Sequence, residues 1–371
     1  MTMPLGKHIR DEVRALTPYN AGLTIEEVMA AYQPASIAKL GSNENPFGPS
    51  PKAVQAMNAL GSSIALYPDP LARSVGTALA EKLGVDPQTI IFGNGSEDLI
   101  GAVCRAVLNP GDVVATLYPS FPLHEDYATT MGATVERIVI GDDFAIPLDD
   151  LIAAANRAKM LIFSNPMNPV GAWLGTEAFR RLTASLSKDT LLVVDEAYFE
   201  YAALEDDFPS ALEALKGSEL NWLVLRTLSK AYGLAGLRIG YGITSSPDFK
   251  SYLDRVRTPF NVNAAAQAAA LAAIADEDHV QAGVRYIRSE RERLARILTD
   301  EGLKVAPSAG NFLFVDTGQP SDAVATALLR SGTIVKPWRQ EGFRHFIRVS
   351  IGKAEDNDKF VADFLAFMRK T

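Results

Sequence analysis

The sequence predicts an α/β protein with a large domain built on a mostly parallel seven-stranded sheet between helices, followed by a smaller α+β domain. Two observations support this fold class. From about residue 90 to 245, short apolar runs alternate with helical patterns, as expected for strands that helices cover on both faces. After about Pro259 the alternation stops, and a long helical pattern precedes several short strand patterns.

Each apolar run in the first region is interpreted as one strand of the sheet. The runs are Ile90-Ile91-Phe92, Val113 to Leu117, Val135 to Ile140, Met160 to Phe163, Leu191 to Val194, Leu223 to Leu225 and Leu237 to Ile243. Strands that alternate with helices are mostly parallel, so their carboxyl ends meet at one edge of the sheet. Ligands of such sheets bind at that edge.

The C-terminal region has a different pattern. A long helical stretch runs from Ala264 through Leu298, and a further helix is expected at Asp322 to Arg330. Short strands are expected at Phe312 to Val315, Thr333 to Val335 and Phe346 to Val349. We therefore divide the chain into an N-terminal arm (1–40), a large domain (41–258) and a small domain (259–371). The arm has no place in the sheet and is expected to pack on the small domain or on a partner subunit.

Composition argues against several functions. The 371 residues carry a formal net charge of −8 and no basic stripe, which argues against nucleic-acid binding. The single cysteine, Cys104, can build neither a disulfide framework nor a zinc site, and the scattered histidines lack metal-ligand spacing. The sequence contains no apolar run long enough for a membrane span and no signal-peptide pattern at residues 1–10. We expect a cytoplasmic protein that binds no metal and does not associate with a membrane.

A glycine turn follows the first predicted strand. Gly95, Ser96 and Glu97 come shortly after Phe92, and the apolar positions beyond them place a helix start at Ser96. Backbone N–H groups at such a helix start bind anions, especially phosphates. The turn is not a dinucleotide fingerprint, because the position of the third glycine holds an aspartate.

Two further strands end in polar residues. The loop Asn165 to Gly171 follows the fourth run and contains two prolines, which restrict its backbone and present Asn168 at the sheet edge. Asp195 ends the fifth run, and Tyr198 follows three residues later as a possible hydrogen-bond donor. Either feature alone is compatible with an ordinary loop.

A lysine follows the sixth run. Ser229 and Lys230 come directly after the stretch Leu223 to Leu228, and Arg238 lies eight residues beyond the lysine, across a glycine-rich segment. Glycines allow the backbone to approach a ligand closely, and Ser229 and Arg238 would then bind an anion. The end of a buried strand is an unusual place for a lysine, although this feature alone is also compatible with an ordinary surface lysine.

These groups together supply what pyridoxal phosphate requires. The cofactor needs a lysine for a covalent bond, a carboxylate that keeps its pyridine nitrogen protonated, and N–H groups with a cation for its phosphate. The order Gly-Ser-Glu, Asn-Pro-x-Asn-Pro-x-Gly, Asp-x-x-Tyr, Ser-Lys and Arg resembles the fold-type I pyridoxal-phosphate aminotransferases over nearly the whole chain. The resemblance implies Lys230 as the catalytic lysine and Asp195 as the partner of the ring nitrogen. It also implies a homodimer with shared active sites.

Other segments resemble the histidinol-phosphate aminotransferase branch. They are Leu16 to Tyr19, Ser42 to Pro51, Leu66 to Asp69 and Ile347 to Gly352. By this resemblance Arg348 clamps the substrate anion, Tyr67 reaches the cofactor phosphate of the partner subunit, and Phe121 stacks on the cofactor ring. Tyr19, Asn43 and Lys336 are the further expected substrate contacts.

Two positions depart from the pattern of this branch. Phe121 replaces a common tyrosine, which stacking tolerates because it needs only the ring. Lys336 stands where an arginine is usual, and lysine lacks the bidentate fork of arginine. If the arginine at this position binds the substrate's phosphate in related enzymes, a lysine here counts against histidinol phosphate as the substrate.

The resemblance implies amino transfer between histidinol phosphate and 2-oxoglutarate, a step of histidine biosynthesis. An aminotransferase of phenylalanine or tyrosine is the alternative, since the branch shades into such enzymes. A decarboxylase of amino acid phosphates and a cofactor-sensing transcription regulator are further alternatives. The regulator needs a DNA-binding segment, and residues 1–40 are too short and not basic enough to supply it.

Overall fold

A computed structural model of the protein describes residues 5–20 and 22–369. Residues 1–4 and 21 of the expected arm, and residues 370 and 371 of the expected small domain, lie outside the described residues. In chain order the strands are β1 (Ala38–Lys39), β2 (Ile90–Gly93), β3 (Val113–Tyr118), β4 (Thr134–Val139), β5 (Met160–Ser164), β6 (Leu191–Asp195), β7 (Trp222–Thr227), β8 (Gly240–Thr244), β9 (Lys304–Val305), β10 (Phe312–Asp316), β11 (Thr333–Ile334), β12 (Lys336–Pro337) and β13 (Phe346–Ser350).

The described residues also form helices along the whole chain. They are α1 (Asp11–Arg14), α2 (Ile25–Tyr32), α3 (Pro51–Asn58), α4 (Arg73–Leu83), α5 (Ser96–Val107), α6 (Pro122–Thr130), α7 (Leu148–Ala155), α8 (Thr176–Ser185), α9 (Phe199–Ala202), α10 (Ala211–Leu215), α11 (Pro247–Val256), α12 (Ala264–Ile274), α13 (Glu277–Asp300), α14 (Ser321–Arg330) and α15 (Ala354–Met368). Short 3₁₀ turns lie at Leu5–His8, Gly61–Ala65, Pro87–Thr89 and Ala235–Leu237.

The main sheet has seven strands in the order β2-β8-β7-β6-β5-β3-β4. Its strands are parallel except β8, which pairs antiparallel with both β7 and β2. Both faces are buried, since Val194 and Val224 belong to one core cluster and Val193 and Leu223 to the other. The predicted mostly parallel seven-stranded sheet is therefore confirmed.

The seventh predicted strand is shorter than the apolar run Leu237 to Ile243 indicated. The run begins in a 3₁₀ turn, and Arg238 adopts a left-handed backbone with φ of 58°. A left-handed residue cannot continue a strand, so β8 starts only at Gly240.

The long predicted helix is two helices. Asp276 separates α12 from α13, with φ of −105° and ψ of 58° outside the helical region. Its carboxylate accepts hydrogen bonds from Ser50 Oγ at 2.5 Å and Lys52 Nζ at 2.7 Å. These contacts with the start of α3 come from 224 to 226 positions away in the chain, which local periodicity does not reveal.

The C-terminal region contains a second, antiparallel sheet in the order β12-β13-β10-β9. Beside it, β1 at the end of the expected arm pairs parallel with β11. Strand β13 is buried throughout and approaches the carboxyl edge of the main sheet through Arg348, which contacts Asn168. Within the described residues, no helix has both the length and the apolar character that crossing a bilayer requires.

Candidate active site

A cavity of about 400 Å³ lies between the carboxyl edge of the main sheet and β13. Every predicted site residue except Tyr67 lines it. These residues are Tyr19, Asn43, Gly95, Ser96, Glu97, Phe121, Asn168, Asp195, Tyr198, Ser229, Lys230, Arg238, Lys336 and Arg348. Gly41, Ser42, Ser164, Ala197 and Thr227 complete the lining.

Lys230 is half-buried three residues after β7, and its Nζ donates a hydrogen bond to Ser42 O at 3.0 Å. Burial lowers the pKa of Lys230 to about 7, and the positive charge of Arg348 acts in the same direction. A large fraction of the amine is therefore neutral near pH 7. A neutral amine is the form that attacks a carbonyl carbon.

An anion cradle lies at the start of α5. Gly95 has φ of 81°, and a Cβ there would lie 2.6 Å from Arg238 Nη2. A Cβ at Gly240 would lie 2.2 Å from the backbone nitrogen of Ser96. Both glycines thus keep open a space bordered by N–H groups and a guanidinium, which suits a phosphate.

Glu97 and Ser229 border the same cradle. Glu97 Oε2 lies 3.7 Å from Arg238 Nη2, and Glu97 Oε1 accepts a hydrogen bond from Tyr127 at 3.1 Å. A carboxylate repels a phosphate, so the side chain of Glu97 serves the cradle by holding Arg238. Ser229 Oγ lies 3.0 Å from Thr227 Oγ1 and faces the cavity.

Asp195 ends β6 with its carboxylate buried in the cavity wall. One oxygen accepts a hydrogen bond from the backbone N–H of Ala197 at 3.1 Å, and the other lies 3.2 Å from His124 Nε2. His124 is not among the site residues predicted from the sequence. No local signal indicated it, because His124 lies in the first turn of α6 and meets Asp195 across 71 positions of the chain.

Tyr198 reaches the cavity beside Asp195. Burial raises the pKa of its phenol to about 12, so it stays protonated and able to donate. Its oxygen accepts a hydrogen bond from Asn43 Nδ2 at 2.9 Å. Asn43, expected to contact substrate, is itself buried and bonded to Tyr198 and Ser350.

Arg348 lies buried on β13 and its guanidinium points into the cavity. Its Nη1 donates to Asn168 Oδ1 at 2.6 Å and its Nη2 to Gly41 O at 2.9 Å. Its Nε has no hydrogen-bond partner in the part of the chain that the structure describes. The guanidinium carbon lies 5.6 Å and 5.9 Å from the ring centroids of Phe312 and Trp338.

Lys336 lies near Arg348 at the outer side of the cavity. Burial lowers its pKa to about 8, and the charges of Arg348 and Arg339 add to this. Its Nζ donates to Asn20 O and lies 5.6 Å from the ring centroid of Tyr19. With the neighbouring Arg348 it places positive charge on this side of the cavity, which favours an anionic substrate.

Of the two aromatic residues predicted to contact the cofactor ring or phosphate, only one lines the cavity. Phe121 lines the cavity, with its ring edge-to-face with His124 at 5.6 Å between centroids. Tyr67 lies away from this cavity, 82% exposed, and stacks on Phe260 at 4.6 Å.

Among the described residues there is no group of three or more histidine, cysteine, aspartate or glutamate side chains that is arranged to hold a metal ion.

Comparison with known proteins identifies the family. The sequence pattern of the family described as aminotransferase class I and II matches residues 35–364. Histidinol-phosphate aminotransferase 1 of Mesorhizobium japonicum is 55% identical over 95% of this chain and 96% of its own length. Histidinol-phosphate aminotransferase 3 of Rhizobium meliloti is 52% identical over 97% of each chain.

A solved structure agrees with these relatives. The histidinol-phosphate aminotransferase of Sinorhizobium meliloti, in complex with pyridoxal-5'-phosphate, superposes with a TM-score of 0.88 at 31% identity. The match covers 98% of both chains. This chain therefore belongs to the class I and II aminotransferases, in the histidinol-phosphate aminotransferase branch, and is an enzyme that uses pyridoxal 5'-phosphate.

Proposed function

We propose that this enzyme transfers an amino group between histidinol phosphate and 2-oxoglutarate, as a step of histidine biosynthesis. The observation that carries the proposal is one cavity that contains both a lysine with a lowered pKa and a separate pair of cationic side chains. Lys230 lies at the sheet edge, and Arg348 with Lys336 lies across from it on the second sheet. Such a cavity accommodates a reacting amine at one end and a substrate anion at the other. Full-length identities of 55% and 52% to histidinol-phosphate aminotransferases support the same substrate.

The inner half of the cavity, at the edge of the main sheet, would hold the cofactor. The start of α5 at Ser96, together with Ser229 and Arg238, would hold its phosphate. Gly95 would leave space for the phosphate, and Glu97 would pair with Arg238. Asp195 would pair with its ring nitrogen, Tyr198 would donate to its ring hydroxyl oxygen, and Phe121 would cover one ring face, with Asn168 beside it. When bound, pyridoxal phosphate supplies an electron sink for the electron pair of the substrate carbon. Lys230 Nζ accepts and returns the proton of that carbon, which its lowered pKa permits.

The substrate anion would bind in the outer half. Arg348 is buried and has one N–H without a partner among the described residues. In amino acids and in 2-oxoglutarate the anion next to the reacting group is a carboxylate. In histidinol phosphate it is a dianionic phosphate, which needs a second cation. Lys336, with the hydroxyl of Tyr19, is positioned to supply it.

We also propose a homodimer. Ile64, Leu66 and Tyr67 form an exposed apolar segment, and such a patch marks an interface. Tyr67 does not line the cavity of its own chain and is exposed beside Phe260, so a second copy could receive it in its cavity. A closed two-fold dimer is the commonest arrangement of identical chains. The division into residues 1–40, 41–258 and 259–371 and the cytoplasmic location remain proposals.

The second candidate is an aromatic aminotransferase. The observation that favours it is Lys336, whose Nζ is engaged with Asn20 O and whose pKa is lowered to about 8. A lysine that loses charge near neutral pH binds a phosphate less firmly than an arginine does. Phenylalanine and tyrosine place only a carboxylate at this position.

A panel of amino donors with 2-oxoglutarate distinguishes the two candidates. We expect kcat/KM for histidinol phosphate to exceed that for phenylalanine and tyrosine by roughly tenfold or more, because only histidinol phosphate uses both cations. The Lys230→Ala protein serves as the inactive control. A higher kcat/KM for phenylalanine or tyrosine would move the aromatic assignment to first place.

A further inference from the structure

The amide of Asn43 connects two hydroxyl groups. Its Nδ2 donates to Tyr198 Oη at 2.9 Å, and its Oδ1 accepts from Ser350 Oγ at 2.8 Å. All three side chains are buried. Ser350 is the last residue of β13, two positions after Arg348, so the group joins the second sheet to the cofactor end of the cavity.

The direction of each hydrogen bond follows from the count of donors. Ser350 Oγ accepts the backbone N–H of Asn43 at 2.8 Å, so its own proton points to another acceptor. Asn43 Oδ1 is that acceptor. Rotating the amide by 180° would place Nδ2 there and leave the Ser350 proton without an acceptor. A buried donor without an acceptor is costly, so Ser350 fixes which end of the amide faces Tyr198.

The amide orientation in turn decides where the Tyr198 proton goes. Because Asn43 presents an N–H group, Tyr198 Oη accepts from it. The hydroxyl proton of Tyr198 is then free to point into the cavity, which Tyr198 lines. With the amide reversed, Asn43 would present an oxygen, and Tyr198 would donate its proton to that oxygen instead.

The backbone of Asn43 is held in place as well. Its carbonyl oxygen accepts a hydrogen bond from Asn311 Nδ2 at 3.0 Å, and its φ is 54°, a left-handed value that asparagine tolerates. The amide therefore has a fixed attachment point, and only its terminal orientation remains to be set.

We propose that Ser350 is a positioning residue: by donating to Asn43 Oδ1 it makes Asn43 a donor to Tyr198, and so directs the Tyr198 proton toward the cofactor. This inference rests on the proposed function, in which Tyr198 donates to the ring hydroxyl oxygen. It assigns a role to a residue that is not part of the cavity lining.

The test is a pH titration of the visible absorbance of the cofactor-loaded enzyme. A hydrogen bond donated to the ring oxygen stabilises its charged form, so losing that bond moves the absorbance midpoint to higher pH. We expect Tyr198→Phe and Ser350→Ala each to raise the midpoint by roughly 0.5 to 1 pH unit, the size of one net hydrogen bond. Ser350→Thr keeps the hydroxyl and should restore most of the shift. Ser350→Cys keeps the shape but donates weakly, and it replaces the alanine variant should that variant not fold.

Two controls separate positioning from general stability. Thr190→Val removes another buried hydroxyl, which bonds Ala155 O at 2.9 Å at the far end of β6, and should leave the midpoint unchanged. In the Tyr198→Phe protein, adding Ser350→Ala should not move the midpoint further, because the proton it directs is gone.

The outcomes are distinct. An unchanged midpoint in Ser350→Ala, with a raised one in Tyr198→Phe, overturns the role of Ser350 and leaves the proposed function intact. An unchanged midpoint in Tyr198→Phe overturns the placement of Tyr198 in the proposed function and the inference with it. Additive shifts in the double variant also overturn the inference.

Discussion

His124 Nε2 lies 3.2 Å from Asp195 Oδ2, and both side chains are buried. The other ring nitrogen of His124 has no partner among the described residues, so Asp195 is the polar group that holds this imidazole. Among the described residues, His124 is thus one of two hydrogen-bond partners of the carboxylate that we place at the cofactor ring nitrogen.

We predict that His124→Phe lowers kcat by roughly tenfold, which corresponds to about 1.4 kcal/mol. The phenyl side chain keeps an aromatic ring at this position but leaves one oxygen of Asp195 without its partner, so the carboxylate is less firmly oriented. His124→Asn retains an N–H group and should lose less. Steady-state kinetics at saturating cofactor measures this, and a His124→Phe protein within about twofold of wild type would contradict it.

Asp195→Asn should lower turnover by far more than tenfold while most cofactor stays bound. The amide has the same shape as the carboxylate but cannot keep the ring nitrogen protonated. Asp189→Asn, at an exposed position before β6, is the matched control and should behave as wild type. Turnover of Asp195→Asn within a factor of about two would show that this carboxylate has another role.

The loading of cofactor into the cofactor-free enzyme should depend on pH through Lys230. Burial and Arg348 lower the pKa of this amine to about 7, so it is protonated and unreactive below pH 7 and neutral above it. The loading rate, followed by absorbance after mixing with pyridoxal phosphate, should rise through about pH 7 and level off at higher pH. Arg348→Gln removes one cation and should move the midpoint upward. A rate that still rises above pH 9 in wild type would disagree with this pKa.

Lys336→Ala should weaken histidinol phosphate far more than phenylalanine. Loss of a charged hydrogen bond is worth about 1.5–3 kcal/mol, so the ratio of the two kcat/KM values should change by roughly tenfold or more. Lys336→Arg, which keeps the charge, is the control. Equal losses for both donors would mean that Lys336 does not bind the phosphate.

The same lysine gives a pH dependence. Its pKa is lowered to about 8, so its charge is present below pH 8 and disappears above it. The kcat/KM for histidinol phosphate should therefore fall as the pH rises through about 8, relative to that for phenylalanine. In the Lys336→Arg protein this relative fall should be absent, because arginine stays charged.

A dimer with shared sites should allow complementation between two inactive proteins. Tyr67→Ala damages the contribution to the partner's cavity, whereas Arg348→Ala damages the chain's own cavity. Hybrid dimers of the two variants contain one undamaged cavity, so mixing them after mild unfolding and refolding should restore activity. A monomer by light scattering, or no gain on mixing, would count against the shared site.

The sequence was informative wherever a strand ends. Asp195, Lys230 and the turn at Gly95 were predictable because apolar runs stop there, and the parallel sheet brings such ends together. Contacts between distant segments were not. His124 meets Asp195 across 71 positions, and Ser350 meets Asn43 across 307. No local pattern in the chain records which polar residue another will meet after folding.

The two places where the backbone departs from the predicted strand or helix have a similar cause. The left-handed turn at Arg238 and the helix break at Asp276 lie within stretches whose apolar pattern predicts a strand and a helix. In both places polar side chains bond to another segment, Asn94 O for Arg238 and Ser50 for Asp276. These bonds outweigh the weak local preference.

The antiparallel direction of β8 explains the interval of eight residues between Lys230 and Arg238. Because β8 returns antiparallel to β7, the chain that leaves β7 at Thr227 re-enters the sheet at Gly240 on the same edge, opposite its point of departure. A single loop thus carries both Lys230 and Arg238, and the paired residues Thr227 and Gly240 fix its two ends. An insertion into this loop would move the lysine and the arginine relative to each other, whereas insertions in the crossovers between parallel strands would not. The interval of eight residues between Lys230 and Arg238 therefore helps to set the relative position of these two side chains. Related chains that keep this site should keep the interval and vary in length elsewhere.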